Sequence, residues 1–200
     1  MLRSSTAGRR TVPALVTAAA LLAVAGATAP ASVASEAPPG PGEVATTPYF
    51  HLPFKCGTRW QLNTWAHSPA LDIVVKGNTG SDAKPVLSSA KGTVAATYKD
   101  RGSGNTIQIN HGNGWFTVYY HLKDDPAKYV KRGQKIPRGK QIGRIGTSGK
   151  AGGWAHLHYE QRYKKGVNHT YESHRKPVKF DGRTYTGANK QWKSVTSRNC

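Results

Sequence analysis

Residues 152–160 read Gly-Gly-Trp-Ala-His-Leu-His-Tyr-Glu and place two histidines one residue apart. This alternation predicts a β-strand in which His156 and His158 point to the same face. Imidazole is a common zinc ligand and the side chain best suited to proton transfer near neutral pH. The pair is therefore a candidate for metal binding and for proton transfer, although a half-buried strand with two polar positions facing water has the same pattern.

A second candidate pair lies upstream, where His67 and Asp72 are five positions apart. Imidazole nitrogen and carboxylate oxygen are both ordinary ligands of zinc. In an unbroken strand an odd separation sends two side chains to opposite faces, so these two converge only if the chain bends between them. Pro69 favours such a bend. A loop histidine followed by a turn aspartate is the alternative interpretation.

A third candidate, His121, ends an alternating segment at residues 115–122. The alternation predicts a strand with one face in the core and the other lining a groove. His121 shares a face with Thr117 and Tyr119, so we expect that face to look into the groove. An edge histidine without a special role is the alternative.

The elements that must position these residues are short and separated by Gly, Asn and Asp at intervals of about ten residues. No stretch has a convincing helical period, so the pattern predicts an all-β domain. The predicted strands are 71–75, 92–98, 106–110, 115–122, 141–145 and 155–163.

The amino-terminal region has the pattern of a secretory signal at residues 1–34: three arginines, an apolar stretch and then small residues. No later segment approaches 18 consecutive apolar residues, so we expect export without a transmembrane segment. Residues 35–48 are rich in Pro and Gly and should form a disordered arm. Residues 49–200 should form one domain with a carboxy-terminal extension.

Charge and cysteine content indicate the surroundings of this domain. Lys and Arg total 29 against 10 Asp and Glu, a net charge of +19. Such an excess favours polyanionic neighbours such as cell-wall polymers, whereas the regular aromatic and basic interleaving of single-strand nucleic-acid binders is missing. In an oxidising exterior, Cys56 and Cys200 are expected to form a disulfide. Nothing near Cys56 would activate a catalytic thiolate.

Taken in chain order, the motifs resemble the lysostaphin-type zinc endopeptidases, which cut bacterial cell-wall peptides. The resemblance covers about residues 64–163 and implies a mostly antiparallel β-sheet domain with a substrate groove. It also implies one Zn²⁺ per chain. The motifs are His67 with Asp72, Tyr120-His121-Leu122, the basic glycine-rich turns at 131–146, Thr147-Ser148-Gly149, and His156-Leu157-His158-Tyr159-Glu160.

Carried over residue by residue, the resemblance implies His67, Asp72 and His158 as metal ligands and His121 and His156 as catalytic histidines. The family usually has three residues between its first histidine and the aspartate, and this chain has four. His111 is the nearest substitute by position, but its setting predicts a turn.

The remaining candidates are assigned as follows. Glu160 either steers a ligand or is a surface glutamate, and the histidines outside the matched region are expected at the surface or in the tail. The expected function is that of a secreted, monomeric zinc endopeptidase that binds and hydrolyses peptidoglycan. A non-catalytic wall-binding or regulatory module on the same fold is the alternative. The outlying histidines are His51, His169 and His174.

Overall fold

The computed structural model describes residues 47–64, 68–185 and 192–200. Within these ranges the chain forms β-strands and two short 3-10 turns, Lys76–Asn78 and Glu172–His174, and no α-helix. The strands are β1 Arg59–Asn63, β2 Leu71–Val74, β3 Pro85–Leu87, β4 Gly92–Asp100, β5 Gly104–Asn110, β6 Trp115–Leu122, β7 Lys135–Ile136, β8 Gln141–Arg144, β9 Leu157–Tyr163, β10 Arg175–Lys176, β11 Lys179–Phe180, β12 Arg183–Thr184 and β13 Lys193–Thr196.

One sheet has the strand order β13-β1-β2-β9-β6-β5-β4-β7, with β10 also paired to β9. Two further pairs, β3 with β8 and β11 with β12, stand beside it. Every pairing among the described strands is antiparallel. The predicted all-β, mostly antiparallel fold is confirmed, and β2, β9 and β6, which carry the candidate residues, are neighbours.

The core lies against one face of this sheet. Register aligns Leu71 of β2 and Tyr119 of β6 with Tyr159 of β9, and all three side chains belong to the main buried cluster. Since successive side chains of a strand alternate, the next row in register, Asp72, His158 and Tyr120, points to the opposite face.

The predicted division of the faces of β6 is wrong. Tyr119 is fully buried in the core, and its hydroxyl accepts a hydrogen bond from the backbone N–H of Ser89 at 3.1 Å. Tyr120, rather than Tyr119, lies on the outer face of the sheet and lines the groove. His121 also reaches the groove, because its φ of 59° interrupts the alternation at the end of the strand.

The carboxy-terminal extension is tied into the sheet. β13 pairs with β1, and Cys56 forms the predicted disulfide with Cys200, the two Cα atoms lying 4.8 Å apart. No helix of the described residues is long and apolar enough to cross a membrane. The predicted signal at 1–34 and most of the arm at 35–48 lie outside the described residues, so both stay predictions.

Candidate metal and catalytic site

The register of three strands aligns three side chains on the outer face of the sheet. His158 of β9 pairs with Asp72 of β2 on one side and with Tyr120 of β6 on the other. His158 Nδ1 lies 3.1 Å from Asp72 Oδ1. The ring of Tyr120 stacks on the ring of His158, with centroids 5.0 Å apart and planes 11° apart. The imidazole of His158 is therefore held between a carboxylate and an aromatic face.

Glu160 fixes the opposite edge of the same imidazole. Its Oε1 lies 2.9 Å from His158 Nε2, and its side chain is fully buried. Nε of Arg162 donates to Glu160 Oε2 at 2.5 Å, and Nη2 of Arg175 lies 2.5 Å from Oε1. The alternative interpretation of Glu160 as a surface residue is wrong.

The charge of Glu160 determines which nitrogen of His158 carries a proton. Burial alone would raise the pKa of Glu160, but hydrogen bonds from His158 and Arg175 and the charge of Arg162 hold that pKa at about 2. An ionised carboxylate only accepts hydrogen bonds, so His158 Nε2 is the donor. In the neutral ring, the lone pair is then on Nδ1 and faces Asp72.

This arrangement fits a divalent cation. Burial alone would lower the pKa of His158, but the hydrogen bonds to Asp72 and Glu160 outweigh burial and raise that pKa. The space between Nδ1 and the Asp72 carboxylate thus favours positive charge. A carboxylate oxygen facing an imidazole whose other nitrogen bonds a carboxylate is the donor chemistry that zinc takes in proteins.

The third expected ligand, His67, lies outside the described residues, so its role stays a prediction. Ser68 and Pro69 form a turn ahead of β2, the bend that the spacing of His67 and Asp72 requires. Within the described part of the chain, no group of three or more His, Cys, Asp or Glu side chains has a metal-binding arrangement. The two donors that the structure does place are Asp72 and His158.

His156 lies beside this pair and is packed against Trp154. The two rings stack with centroids 4.0 Å apart, and His156 Nδ1 lies 3.1 Å from the backbone oxygen of Trp154. A carbonyl oxygen only accepts, so the neutral ring carries its proton on Nδ1 and its lone pair on Nε2. His156 Nε2 is 3.6 Å from Asp72 Oδ1.

His121 approaches His156 from β6, with ring centroids 4.8 Å apart. His121 Nδ1 donates to the backbone oxygen of Ser148 at 2.8 Å, so its lone pair is also on Nε2. Burial is the main effect that lowers the pKa of His121 to about 4. The charges of His156 and His158 act in the same direction, and the Ser148 carbonyl and Asp72 oppose them. His121 is therefore neutral at pH 7 and able to accept a proton.

Two glycines allow the loop that orients His121. A Cβ atom on Gly149 would lie 2.4 Å from the backbone nitrogen of Gly104, and a Cβ on Gly104 would lie 2.4 Å from the backbone carbon of Ser148. Both glycines have positive φ, at 70° and 68°. Only glycine permits this close backbone contact, which brings the Ser148 carbonyl to the imidazole of His121.

All four described candidate residues line one open groove of about 550 Å³. The groove also contains polar side chains from three separate loops. Its residues include Asp72, His121, His156 and His158, with Asp100, Ser103, Tyr120, Lys150, Trp154, Glu172 and Arg175 around them.

Two other histidines have structural partners. His111, the possible substitute ligand, bonds the backbone oxygen of Lys91 at 2.7 Å and Oγ1 of Thr117 at 2.8 Å, away from the groove residues. His51 was expected at the surface, and this prediction is wrong. It is buried, with Nδ1 lying 2.6 Å from Asp181 Oδ1 and Nε2 lying 2.8 Å from a guanidinium nitrogen of Arg138.

A family model described as Peptidase family M23 matches residues 68–170, just over half of the chain. The chain belongs to peptidase family M23. The resemblance to the lysostaphin-type peptidases is thereby confirmed. The matched region includes Asp72, His121, His156 and His158 and begins one residue after His67.

Three similar M23-related proteins illustrate the relationship. The peptidoglycan DD-endopeptidase ShyA of Vibrio cholerae is 43% identical over 76 residues, which cover 38% of this chain and 17% of ShyA. The DD-carboxypeptidase/endopeptidase Mpg of Neisseria meningitidis is 33% identical over 101 residues, 50% of this chain and 21% of Mpg. The chain thus spans about a fifth of these curated relatives. The catalytic domain of lysostaphin from Staphylococcus simulans is 24% identical, with a TM-score of 0.45 over 64% of this chain and 84% of that domain.

Proposed function

We propose that this M23 protein is a secreted zinc-dependent endopeptidase that hydrolyses a peptide bond in a cross-bridge or stem peptide of bacterial peptidoglycan. One observation carries the proposal. The buried Asp72–His158 pair, with 3.1 Å between Oδ1 and Nδ1, shares a groove with His121 and His156, two imidazoles 4.8 Å apart. The names of the similar relatives support peptidoglycan as the substrate class.

The metal would be held by Asp72, by His158 through Nδ1, and by His67. Zn²⁺ bound there would act as a Lewis acid toward a peptide carbonyl and would lower the pKa of water. Glu160 keeps the ring of His158 in the tautomer that a metal requires, by accepting from Nε2. Arg162 and Arg175 keep Glu160 ionised and in place.

His121 and His156 would handle protons. Backbone carbonyls hold both Nδ1 atoms, so both rings offer Nε2 to the reacting groups. In its neutral form either ring can accept a proton from water, and once protonated it can donate to the leaving amine or to the developing oxyanion. The low pKa of His121, about 4, keeps its imidazole neutral at pH 7, with the Nε2 lone pair unprotonated.

The groove is open along the sheet and suits an extended peptide. Polar side chains line it, and Trp154 lies in it stacked on His156. An extended chain with small side chains fits such a cleft, as expected of cell-wall peptides, which are rich in small residues.

The charge of the protein supports a wall location. Anionic wall polymers would attract a chain with a net charge of +19 through a long-range interaction that salt screens. Exposed basic residues are concentrated between β6 and β8, at Lys128, Lys131, Arg132, Lys135 and Lys140. Binding to purified wall should therefore weaken as ionic strength rises, and equal binding at low and high salt would contradict this part of the proposal.

The decisive experiment incubates the purified protein with isolated peptidoglycan and measures bound zinc and newly released peptide amino termini together. We expect about one zinc per chain, new amino termini and loss of both after chelation. Mass analysis of the products would identify the bond. A protein that binds wall but releases no amino termini would instead be a non-catalytic wall-binding module.

A further inference from the structure

A second cleft adjoins the catalytic groove, at the corner between two tryptophans. Trp154 and Trp192 meet edge to face, with centroids 6.4 Å apart and planes 89° apart. Gln61 of β1 and Val74 of β2, which are paired across the sheet, also line the cleft. Its volume is about 410 Å³, within the range of sites that hold small ligands.

The cleft continues the catalytic groove, because Trp154 belongs to both. One face of its indole stacks on the ring of His156, with ring centroids 4.0 Å apart. The same indole meets Trp192 edge to face and lines the second cleft. The two centroid separations together place Trp192 no more than about 10 Å from His156. An extended chain advances about 3.3 Å per residue, so this distance corresponds to about three residues.

Trp192 comes from the part of the chain beyond the M23 match, which ends at residue 170. It immediately precedes β13, whose Lys193 pairs with Leu62 of β1. The disulfide from Cys56 to Cys200 holds the end of the same segment. The carboxy-terminal extension therefore completes a surface next to the catalytic histidines.

The chemistry of the cleft selects for a neutral ligand. The described residues that line it carry no charge, in a protein whose net charge is +19. Two perpendicular indole faces offer a large apolar contact for peptide planes and methyl groups. The side-chain amide of Gln61, whose oxygen accepts from the N–H of Gly77 at 3.3 Å, adds a polar group. None of the described residues that line the cleft offers a cation to an anionic wall polymer.

We propose that the corner between Trp154 and Trp192 is a substrate subsite for the uncharged peptide chain two to three residues from the bond that is cut. This inference rests on the proposed endopeptidase function. It assigns the carboxy-terminal extension a role in substrate length and sequence preference, and it makes Trp192 a specificity-determining residue.

The test compares synthetic peptides that share one scissile bond and differ in length. The short peptide ends one residue beyond that bond on each side, and the long peptide continues for three residues on each side. We expect Trp192→Ala to lower kcat/KM for the long peptide by about 3- to 10-fold, mainly through KM, and to leave the short peptide unchanged. Trp192→Phe should restore most of the loss. Tyr49→Ala, which removes an exposed aromatic side chain that lines neither the groove nor the cleft, is the control.

The possible outcomes test the subsite proposal separately from the endopeptidase proposal. Equal loss on both peptides, or no loss on the long one, would overturn the subsite. An effect confined to fragments that carry sugar would also overturn it and would place a glycan there. If wild-type protein cuts neither peptide nor wall, the endopeptidase proposal fails. The subsite is then judged by calorimetry with the long peptide, and equal affinity of wild type and Trp192→Ala would overturn it.

Discussion

Glu160 and His158 lie two positions apart on β9 and are joined at 2.9 Å between Oε1 and Nε2. This contact leaves the other ring nitrogen, Nδ1, 3.1 Å from Asp72 Oδ1. A buried carboxylate thus selects the tautomer of the candidate ligand and raises its basicity. The ring orientation therefore depends on a residue that need not touch the metal itself.

The first prediction concerns Glu160→Gln. The glutamine keeps the shape but loses the charge that holds His158, Arg162 and Arg175, so zinc affinity should fall about 10- to 100-fold. Competition with a chromogenic chelator measures this affinity without relying on activity. Glu172→Gln is the control. Glu172 is exposed, and its distance of 3.2 Å from Arg175 is longer than the 2.5 Å between Glu160 and Arg175. Unchanged zinc affinity in Glu160→Gln would contradict the role assigned to this carboxylate.

The second prediction separates the two histidines of the His-Leu-His pair. His158→Ala removes a nitrogen that faces Asp72 and should lose both zinc and activity. His156→Ala leaves Asp72 and His158 in place, so it should retain about one zinc per chain and lose activity by at least about 100-fold. Metal analysis of the dialysed proteins and release of peptide amino termini from wall are the two measurements. An active, zinc-replete His158→Ala protein would reject the ligand assignment.

Much of the fold follows from period-2 alternation. The predicted segments 71–75, 92–98, 106–110, 115–122, 141–145 and 155–163 each coincide with a strand to within about two residues. Apart from β1, which lies inside the sheet and was missed, the other strands are short or lie at the edge of a sheet, where pairing rather than a local apolar pattern determines the structure. β13 pairs with β1 from the far end of the chain, and no local signal predicts that contact.

The local sequence pattern likewise predicts only part of the candidate site. The spacing of His156 and His158 predicts that both face the same side, and both do line the groove. Glu160 follows His158 by two positions, so the alternation of a strand could have placed it on the same face. The burial of Glu160, however, depends on Arg175, which is distant in sequence. Alternation alone does not determine which face of β6 is the core, and His121 reaches the groove beside Tyr120 only because its positive φ breaks the alternation.

The third prediction concerns the disulfide. Cys56 and Cys200 are 144 positions apart, so the chain-entropy model assigns their bond up to about 5 kcal/mol of unfolding free energy. We expect the double variant Cys56→Ser, Cys200→Ser to lose about 2–5 kcal/mol in urea unfolding. Reductant should destabilise the wild type to the same extent and leave the double variant unchanged. If the double variant is as stable as the wild type with its disulfide intact, the prediction is contradicted.

The fourth prediction concerns His111 and pH. Burial lowers the pKa of His111 to about 4, although the Lys91 carbonyl opposes that shift. In the unfolded chain the pKa is about 6.5, so between these two values the unfolded state binds one more proton. The free energy of unfolding should therefore be fully retained above pH 6.5 and fall as the pH drops toward 4, by at most about 3 kcal/mol.

His111→Gln tests this dependence, because glutamine keeps polar groups near Lys91 and Thr117 but cannot titrate. Urea unfolding at pH 4.5 and pH 7.5 should show that wild type loses about 2–3 kcal/mol more than the variant between the two conditions. His121 also has a pKa of about 4, but it is present in both proteins and cancels in the comparison. His169→Gln, at an exposed position, should behave as wild type. The same pH dependence in His111→Gln and wild type would show that His111 is not protonated on unfolding in this range.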